Sequence, residues 1–185
     1  MELSNRIAVV TGGASGIGEA LALRYHEEGA KHVVVADLDG DGAKAVAARI
    51  GGSGFGVDVS DAAAIEDMVK EVERDQGPID VFFSNAGYVT FGGLEAPIED
   101  FQRMMSVHVN AHVIAARTVL PGMIERGENL VAQPACNRQG AVNAVVIGGE
   151  PVYLYCRHGA FLSRAEIALS EILPLSVSGP RLIFP

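Results

Sequence analysis

Gly12, Gly16 and Gly18 stand between an apolar run and a helix-forming stretch in Val9-Val10-Thr11-Gly12-Gly13-Ala14-Ser15-Gly16-Ile17-Gly18-Glu19-Ala20. Glycine serves where a backbone turns with positive φ or approaches a ligand too closely for a Cβ, and the free N–H groups opening a helix attract an anion. The spacing, TGxxxGxG, is a variant of GxGxxG with its first glycine set further back, and the anion it fits is a dinucleotide pyrophosphate. The residues expected to line that loop are Thr11, Gly12, Ser15, Gly16, Ile17 and Gly18. Spaced glycines alone also describe an ordinary strand-to-helix turn. What separates the two is the acid: Lys31 to Asp37 reads as a second buried strand whose last residue, Asp37, lies nineteen positions beyond Gly18, where a carboxylate accepts from ribose hydroxyls.

The elements that must carry these residues alternate along the chain, which implies a doubly wound, Rossmann-like α/β fold: a parallel sheet in three layers. Ile7 to Thr11 is the first strand, followed by a helix from Gly16 to about Glu28 that ends at Gly29. After the strand ending at Asp37, a helix is expected over Ala43 to Ile50, stopped by Gly51-Gly52, and a third strand over Gly54 to Val59. Ser60 occupies an N-cap position before a helix whose Ile65, Met68, Val69 and Val72 recur at helical spacing and therefore face the sheet. Ile79 to Ser84 is the fourth strand, and a long helix from Ile98 to Arg126 follows, with Pro121 expected to bend or end it. The fifth strand is either around Leu130-Val131 or over Ala141 to Ile147. A helix over His158 to Leu173 and a strand over Arg181 to Phe184 complete the pattern.

Composition narrows the classes. A chain of 185 residues with 49% hydrophobic content is long enough for one domain, spanning 1–185, with a sizeable core. The net charge of −9 and the scatter of the fourteen basic residues argue against a nucleic-acid footprint. No basic-then-apolar leader pattern opens the chain and no apolar stretch reaches about eighteen residues, so the expectation is a cytoplasmic protein without a membrane partner. Cys136 and Cys156 show no metal-ligand spacing, which implies reduced structural cysteines and no metal.

Taken together these residues resemble the short-chain dehydrogenases/reductases. Thr11, Gly12, Gly16 and Gly18 match that family's cofactor loop, Asp37 with its neighbour Leu38 matches the adenosine-ribose acid, and Asp58-Val59 matches the pair that contacts adenine. Asn85-Ala86-Gly87 matches the NAG motif after strand four, and Leu120-Pro121-Gly122-Met123 the end of the long interface helix. The resemblance is strong over residues 5 to 126 and thins beyond, where Tyr153-Leu154-Tyr155-Cys156-Arg157-His158-Gly159-Ala160 is similar to the YxxxK segment with arginine in the lysine position.

The resemblance implies an NAD(H)-dependent oxidoreductase that transfers a hydride between nicotinamide and a secondary alcohol or ketone. In that family a tyrosine moves the proton, a lysine lowers its pKa and holds the nicotinamide ribose, and a serine orients the carbonyl. Here Tyr153 fits the first role and Arg157 the second, both being expected at the cofactor as well. Gly140 stands thirteen residues before Tyr153, where the serine is expected, and His108 falls on the family's helix asparagine, with Asn110 two residues on. Guanidinium is a broad, permanently charged fork, so it does not duplicate an ammonium's point contacts. The resemblance also implies a homodimer or homotetramer joined through the long helix, whose Phe101, Met104, Met105, Val109 and Val113 form a stripe that would serve an internal core equally well. Two other readings stay open: a nucleotide-binding or interaction protein without turnover, and a truncated form of a full-length enzyme.

Overall fold

Two short runs of β-branched residues form the centre of the sheet. In the computed structural model, which describes residues 3–127, 130–132 and 145–147, β1 (Ile7–Thr11) is buried throughout and β2 (His32–Asp37) is buried at its four inner positions. Strands covered on both faces read in this way, as unbroken apolar runs. β1 pairs in parallel with β2 on one side and with β4 (Val81–Phe83) on the other, and β3 (Ser53–Gly56) lies parallel to β2 at the edge. The strand order is β3-β2-β1-β4-β5-β6.

Alternation along the strands sends side chains to two cores. On one face Ile7, Val9, Val34, Ala36 and Phe82 meet Ile65, Met68, Val69 and Val72 of α3 (Ala62–Asp75) and Ala115, Val119 and Met123 of α5 (Ala111–Arg126). On the other, Val10, Val33 and Val35 meet Ala22 of α1 (Gly16–Glu27) and Ala43, Val46 and Ala47 of α2 (Gly40–Arg49). This is the doubly wound, three-layer arrangement that the alternating pattern predicts. The four α3 positions expected to face the sheet are all buried.

Several boundaries move, each for a local reason. α2 begins at Gly40 rather than Ala43, because Asp39 caps it by accepting the Gly42 N–H at 3.0 Å and so offsets the poor helix propensity of two glycines. α3 is capped by Asp61, which accepts the Ala63 N–H at 2.9 Å, and not by Ser60. The Ser60 hydroxyl donates instead to Asp58 Oδ1 at 2.7 Å. β3 ends at Gly56 because its partner β2 ends opposite it at Asp37. The expected long helix is interrupted after α4 (Ile98–Met105) by a π-helical turn, Ser106–Asn110, before continuing as α5. Pro121 neither ends nor divides α5: its neighbours Leu120 and Met123 are buried in the core, so packing outweighs one missing backbone donor.

Both candidates for the fifth strand are strands. β5 (Leu130–Ala132) pairs in parallel with β4, and β6 (Val145–Ile147) pairs with β5 in antiparallel fashion. The fully parallel sheet expected from the sequence therefore fails at this edge. A parallel return needs a crossover of a dozen or more residues, usually helical, and residues 133–144, which include Pro134 and Gly140, are at that lower limit. The expected helix at His158 to Leu173 and strand at Arg181 to Phe184 lie outside the described residues.

Ile65 is 1% exposed at the centre of the α3 face. Ile65→Ala is expected to lower the unfolding free energy by about 2–5 kcal/mol, read from urea denaturation. A midpoint equal to that of the unsubstituted chain would mean that α3 does not pack on the sheet.

Candidate functional site

The C-terminal ends of β1, β2 and β4 converge, and there the predicted loop residues come together. Thr11 closes β1, and Gly12 follows at φ 66, in the left-handed region that favours glycine. A Cβ on Gly12 would lie 2.8 Å from the Ala86 Cα, so the loop and the Asn85-Ala86 segment touch backbone to backbone. Gly18, one turn into α1, is packed so closely that a Cβ would overlap the Gly12 carbonyl oxygen. Gly16 opens α1, and Ser15 before it is extended and makes no side-chain cap. The first N–H groups of α1 are thus left uncapped by Ser15, at the positive end of the helix dipole. Ile17 beside them is 69% exposed.

Thr11 joins the two loops. Its side chain is buried, and Oγ1 accepts the backbone N–H of Asn85 at 3.0 Å and of Ala86 at 3.1 Å. The Asn85 amide donates back to the carbonyls of Thr11 at 3.1 Å and Gly12 at 3.3 Å. Four hydrogen bonds therefore hold Asn85-Ala86 against the glycine loop, and Gly87 follows at the surface.

Asp37 has one carboxylate oxygen on each side of the loop system. Oδ2 accepts the Ala14 N–H and Oδ1 the Asp39 N–H, both at 3.0 Å. Each oxygen keeps a second lone pair, so the carboxylate can hold the loop and still accept hydroxyls. Leu38 next to it is 67% exposed. Asp58 lies at the neighbouring loop, where the Ser60 hydroxyl and then the Ser60 N–H hold its carboxyl below the usual aspartate range. The Val59 side chain is buried in the core. These carboxylates are fastened by backbone donors, which is what makes them fixed acceptors rather than mobile charges.

The long helix brings two histidines to the end of β4. His108, in the π-helical turn, has Nε2 2.7 Å from the Tyr88 carbonyl oxygen and 3.2 Å from the Tyr88 nitrogen, and its ring lies 5.9 Å from the tyrosine ring. His112 has Nδ1 2.6 Å from Ser84 Oγ. Burial, followed by the nearby His108, pushes the His112 pKa down to about 4. The residue order alone does not pair His112 with Ser84. The available signal was a hydroxyl, Ser84, closing an apolar strand where a buried polar group requires a partner. Along the expected interface stripe, Phe101 is 59% exposed, Met105 41% and Val109 43%, and α4 buries no residue. Tyr153, Arg157, Gly140, Cys136 and Cys156 lie outside the described residues.

A sequence profile of the short chain dehydrogenase family matches residues 6–133, which contain every described residue of this site. The chain belongs to that family. It is 34% identical over 189 residues to a 1-deoxy-11-beta-hydroxypentalenate dehydrogenase of Streptomyces exfoliatus, covering 97% of this chain and 64% of that protein. It is 36% identical over 129 residues to a meso-2,3-butanediol dehydrogenase of Serratia marcescens, covering 68% of this chain and 51% of the relative. A 2-dehydro-3-deoxy-L-rhamnonate dehydrogenase (NAD(+)) of a Sphingomonas strain is 34% identical over 146 residues, covering 76% and 58%. The matches span about half to two thirds of the lengths of these short-chain dehydrogenases. Among the described residues no helix is long and apolar enough to cross a membrane.

The His112 pairing has a measurable consequence. Its imidazole takes a proton near pH 6.5 when unfolded and near pH 4 when folded. The stability that goes with the neutral ring is complete above pH 6.5 and is lost as pH falls toward 4, by up to ~3 kcal/mol. The unfolding free energy of the unsubstituted chain minus that of His112→Asn should therefore shrink as pH falls from 7.5 to 4. A difference independent of pH over that range would show that the folded ring titrates normally.

Proposed function

We propose that the chain carries the nucleotide site and proton-transfer residues of an NAD(H)-dependent oxidoreductase, moving a hydride between nicotinamide and a secondary alcohol or ketone. The observation that carries this reading is the arrangement of Asp37, with both oxygens anchored by the backbone at the rim of a loop whose Gly12 and Gly18 leave no room for a Cβ. The residues fit such a cofactor. The uncapped opening turn of α1, with Ser15, Gly16, Ile17 and Gly18, takes the pyrophosphate, and Asp37 accepts from the adenosine ribose. Exposed Leu38, with Asp58 and Val59, flanks the adenine, and Asn85-Ala86-Gly87 forms the floor beside Thr11. A nicotinamide dinucleotide supplies the hydride donor or acceptor. Tyr153 donates a proton to the carbonyl oxygen in reduction and removes one from the alcohol in oxidation, and the Arg157 charge favours its phenolate. Reduction relies less on that charge, because the phenol, with an ordinary pKa of about 10, starts protonated.

The exposed apolar residues Phe101, Met105 and Val109 support self-association as a homodimer or homotetramer. A second reading, a nucleotide-binding protein without turnover, is favoured by Arg157 in the lysine position and Gly140 in the serine position, since losing one oriented donor at a developing alkoxide costs about a hundredfold to a thousandfold.

Cofactor choice follows from charge. Asp37 repels a 2′-phosphate, and Leu38 and Asp39 bring no cation to offset it, so NAD+ should bind more tightly than NADP+ in calorimetric titration, with Asp37→Ser narrowing the gap. Equal affinity for the two would remove Asp37 from the ribose. For the chemistry, Tyr153→Phe is expected to abolish ketone reduction while leaving NADH binding nearly unchanged, and Arg157→Lys to raise alcohol oxidation below pH 8. Turnover undiminished in Tyr153→Phe would sink the assigned mechanism. No rate above background over a broad panel of secondary alcohols and ketones would favour the second reading.

A further inference from the structure

Ser84 is the residue at which β4 gives way to the Asn85-Ala86-Gly87 segment, and it is 4% exposed. On the same face of that strand is Phe82, wholly buried in the core against α3 and α5. A hydroxyl in such surroundings must find a partner, and the partner is His112 Nδ1 at 2.6 Å, in the first turn of α5. At neutral pH the ring is uncharged, so ring and hydroxyl share one proton-donating and one proton-accepting group without burying a charge. α5 starts directly after the π-helical turn, and such insertions recur at functional sites because they re-aim the side chains that follow.

The consequence lies one residue further on. Asn85 and Ala86 both donate to Thr11 Oγ1, and Gly12 approaches Ala86 within a distance that admits no Cβ. A small displacement of the chain at Ser84 would therefore be passed straight to the glycine loop, because the contact between the two loops has no slack. Thr11 holds the segment from the β1 side only; at its two ends it is held from the helix side, by His112 through Ser84 and by His108 at Tyr88.

We propose that His112 is a positioning residue for the nucleotide site: through its hydrogen bond to Ser84 it sets where β4 exits, and so places Asn85 and Ala86 against Thr11 and Gly12. The proposal rests on the reading of this site as a dinucleotide site, and it adds a residue that lies under the site and does not touch the ligand. A merely structural His112 would change stability and leave the site's affinity alone.

The test uses the full chain, with NAD+ as the probe, in Ser84→Ala, His112→Leu, the double variant and His112→Asn, whose amide can replace Nδ1 toward Ser84. Each single loss is expected to weaken NAD+ about tenfold, the equivalent of one hydrogen bond, with the double variant no worse than either. His112→Asn should retain most of the affinity. Val72→Ala, a core change on α3, should lower the thermal midpoint without weakening NAD+. Amide hydrogen exchange gives a readout that needs no nucleotide: Asn85 and Ala86 should exchange faster in His112→Leu, while Val81 to Phe83 do not. A lowered midpoint with unchanged affinity and unchanged exchange at Asn85 and Ala86, or losses that simply add in the double variant, would overturn the proposal. If the unsubstituted chain binds neither NAD+ nor NADP+, the proposed function fails, and the exchange measurement alone decides whether His112 positions the segment.

Discussion

The hydroxyl of Thr11 is the point on which the rest of the site depends. It is buried at the end of the central strand and accepts two backbone N–H groups from the segment after β4. Both donors would otherwise be left without partners in a crowded interior, at a cost of about 1–3 kcal/mol each. Because that bond draws the two loops together, Gly12 and Gly18 have no alternative residue type: one must adopt positive φ against the Ala86 backbone, and the other must pack on the Gly12 carbonyl. The same closeness leaves the uncapped turn of α1 facing outward beside Asp37. The proposed phosphate site and ribose acceptor thus depend on one short contact between the loops that follow β1 and β4.

The carboxylates show how the scaffold prepares charge. Asp37 spends part of its hydrogen-bonding capacity on Ala14 and Asp39, Asp39 caps α2, and Asp58 is held by Ser60. Each is fixed by backbone donors, so little side-chain entropy remains to be lost when a ligand arrives. The negative potential they create together is the physical basis of the expected discrimination against a phosphorylated ribose. The histidines act from beneath. His112 is kept neutral by burial and by its neighbour, and in that form it partners Ser84 without adding a charge beneath the Asn85-Ala86 segment.

What could be read from the residue order was what short-range physics controls. Val9-Val10 and Val33-Val34-Val35 are buried strands because unbroken β-branched runs suit strands covered on both faces, and the glycine loop declares itself by spacing. Ser60 was misplaced as a cap because Asp61 competes for the same role and Asp58 offers Ser60 a better partner; the pattern does not rank the three. The π-helical turn was invisible, since Ser106 to Asn110 have no composition that distinguishes i→i+5 from i→i+4 hydrogen bonding. β6 was misread in direction because strand polarity depends on the connection, not on Val145-Val146-Ile147 themselves. The Ser84–His112 pair joins residues 28 apart in sequence, and only the packing of α5 on the sheet brings them together.

The central claim is that the convergent ends of β1, β2 and β4 form one dinucleotide site. Titrating the isotopically labelled 185-residue chain with NAD+ and following backbone amide resonances tests it most directly. The account predicts saturable shifts that cluster at Ala14 to Gly18, Asp37 to Asp39 and Asn85 to Gly87, with α3 unaffected. Shifts absent at millimolar NAD+, or clustered elsewhere than the C-terminal ends of those strands, would contradict it.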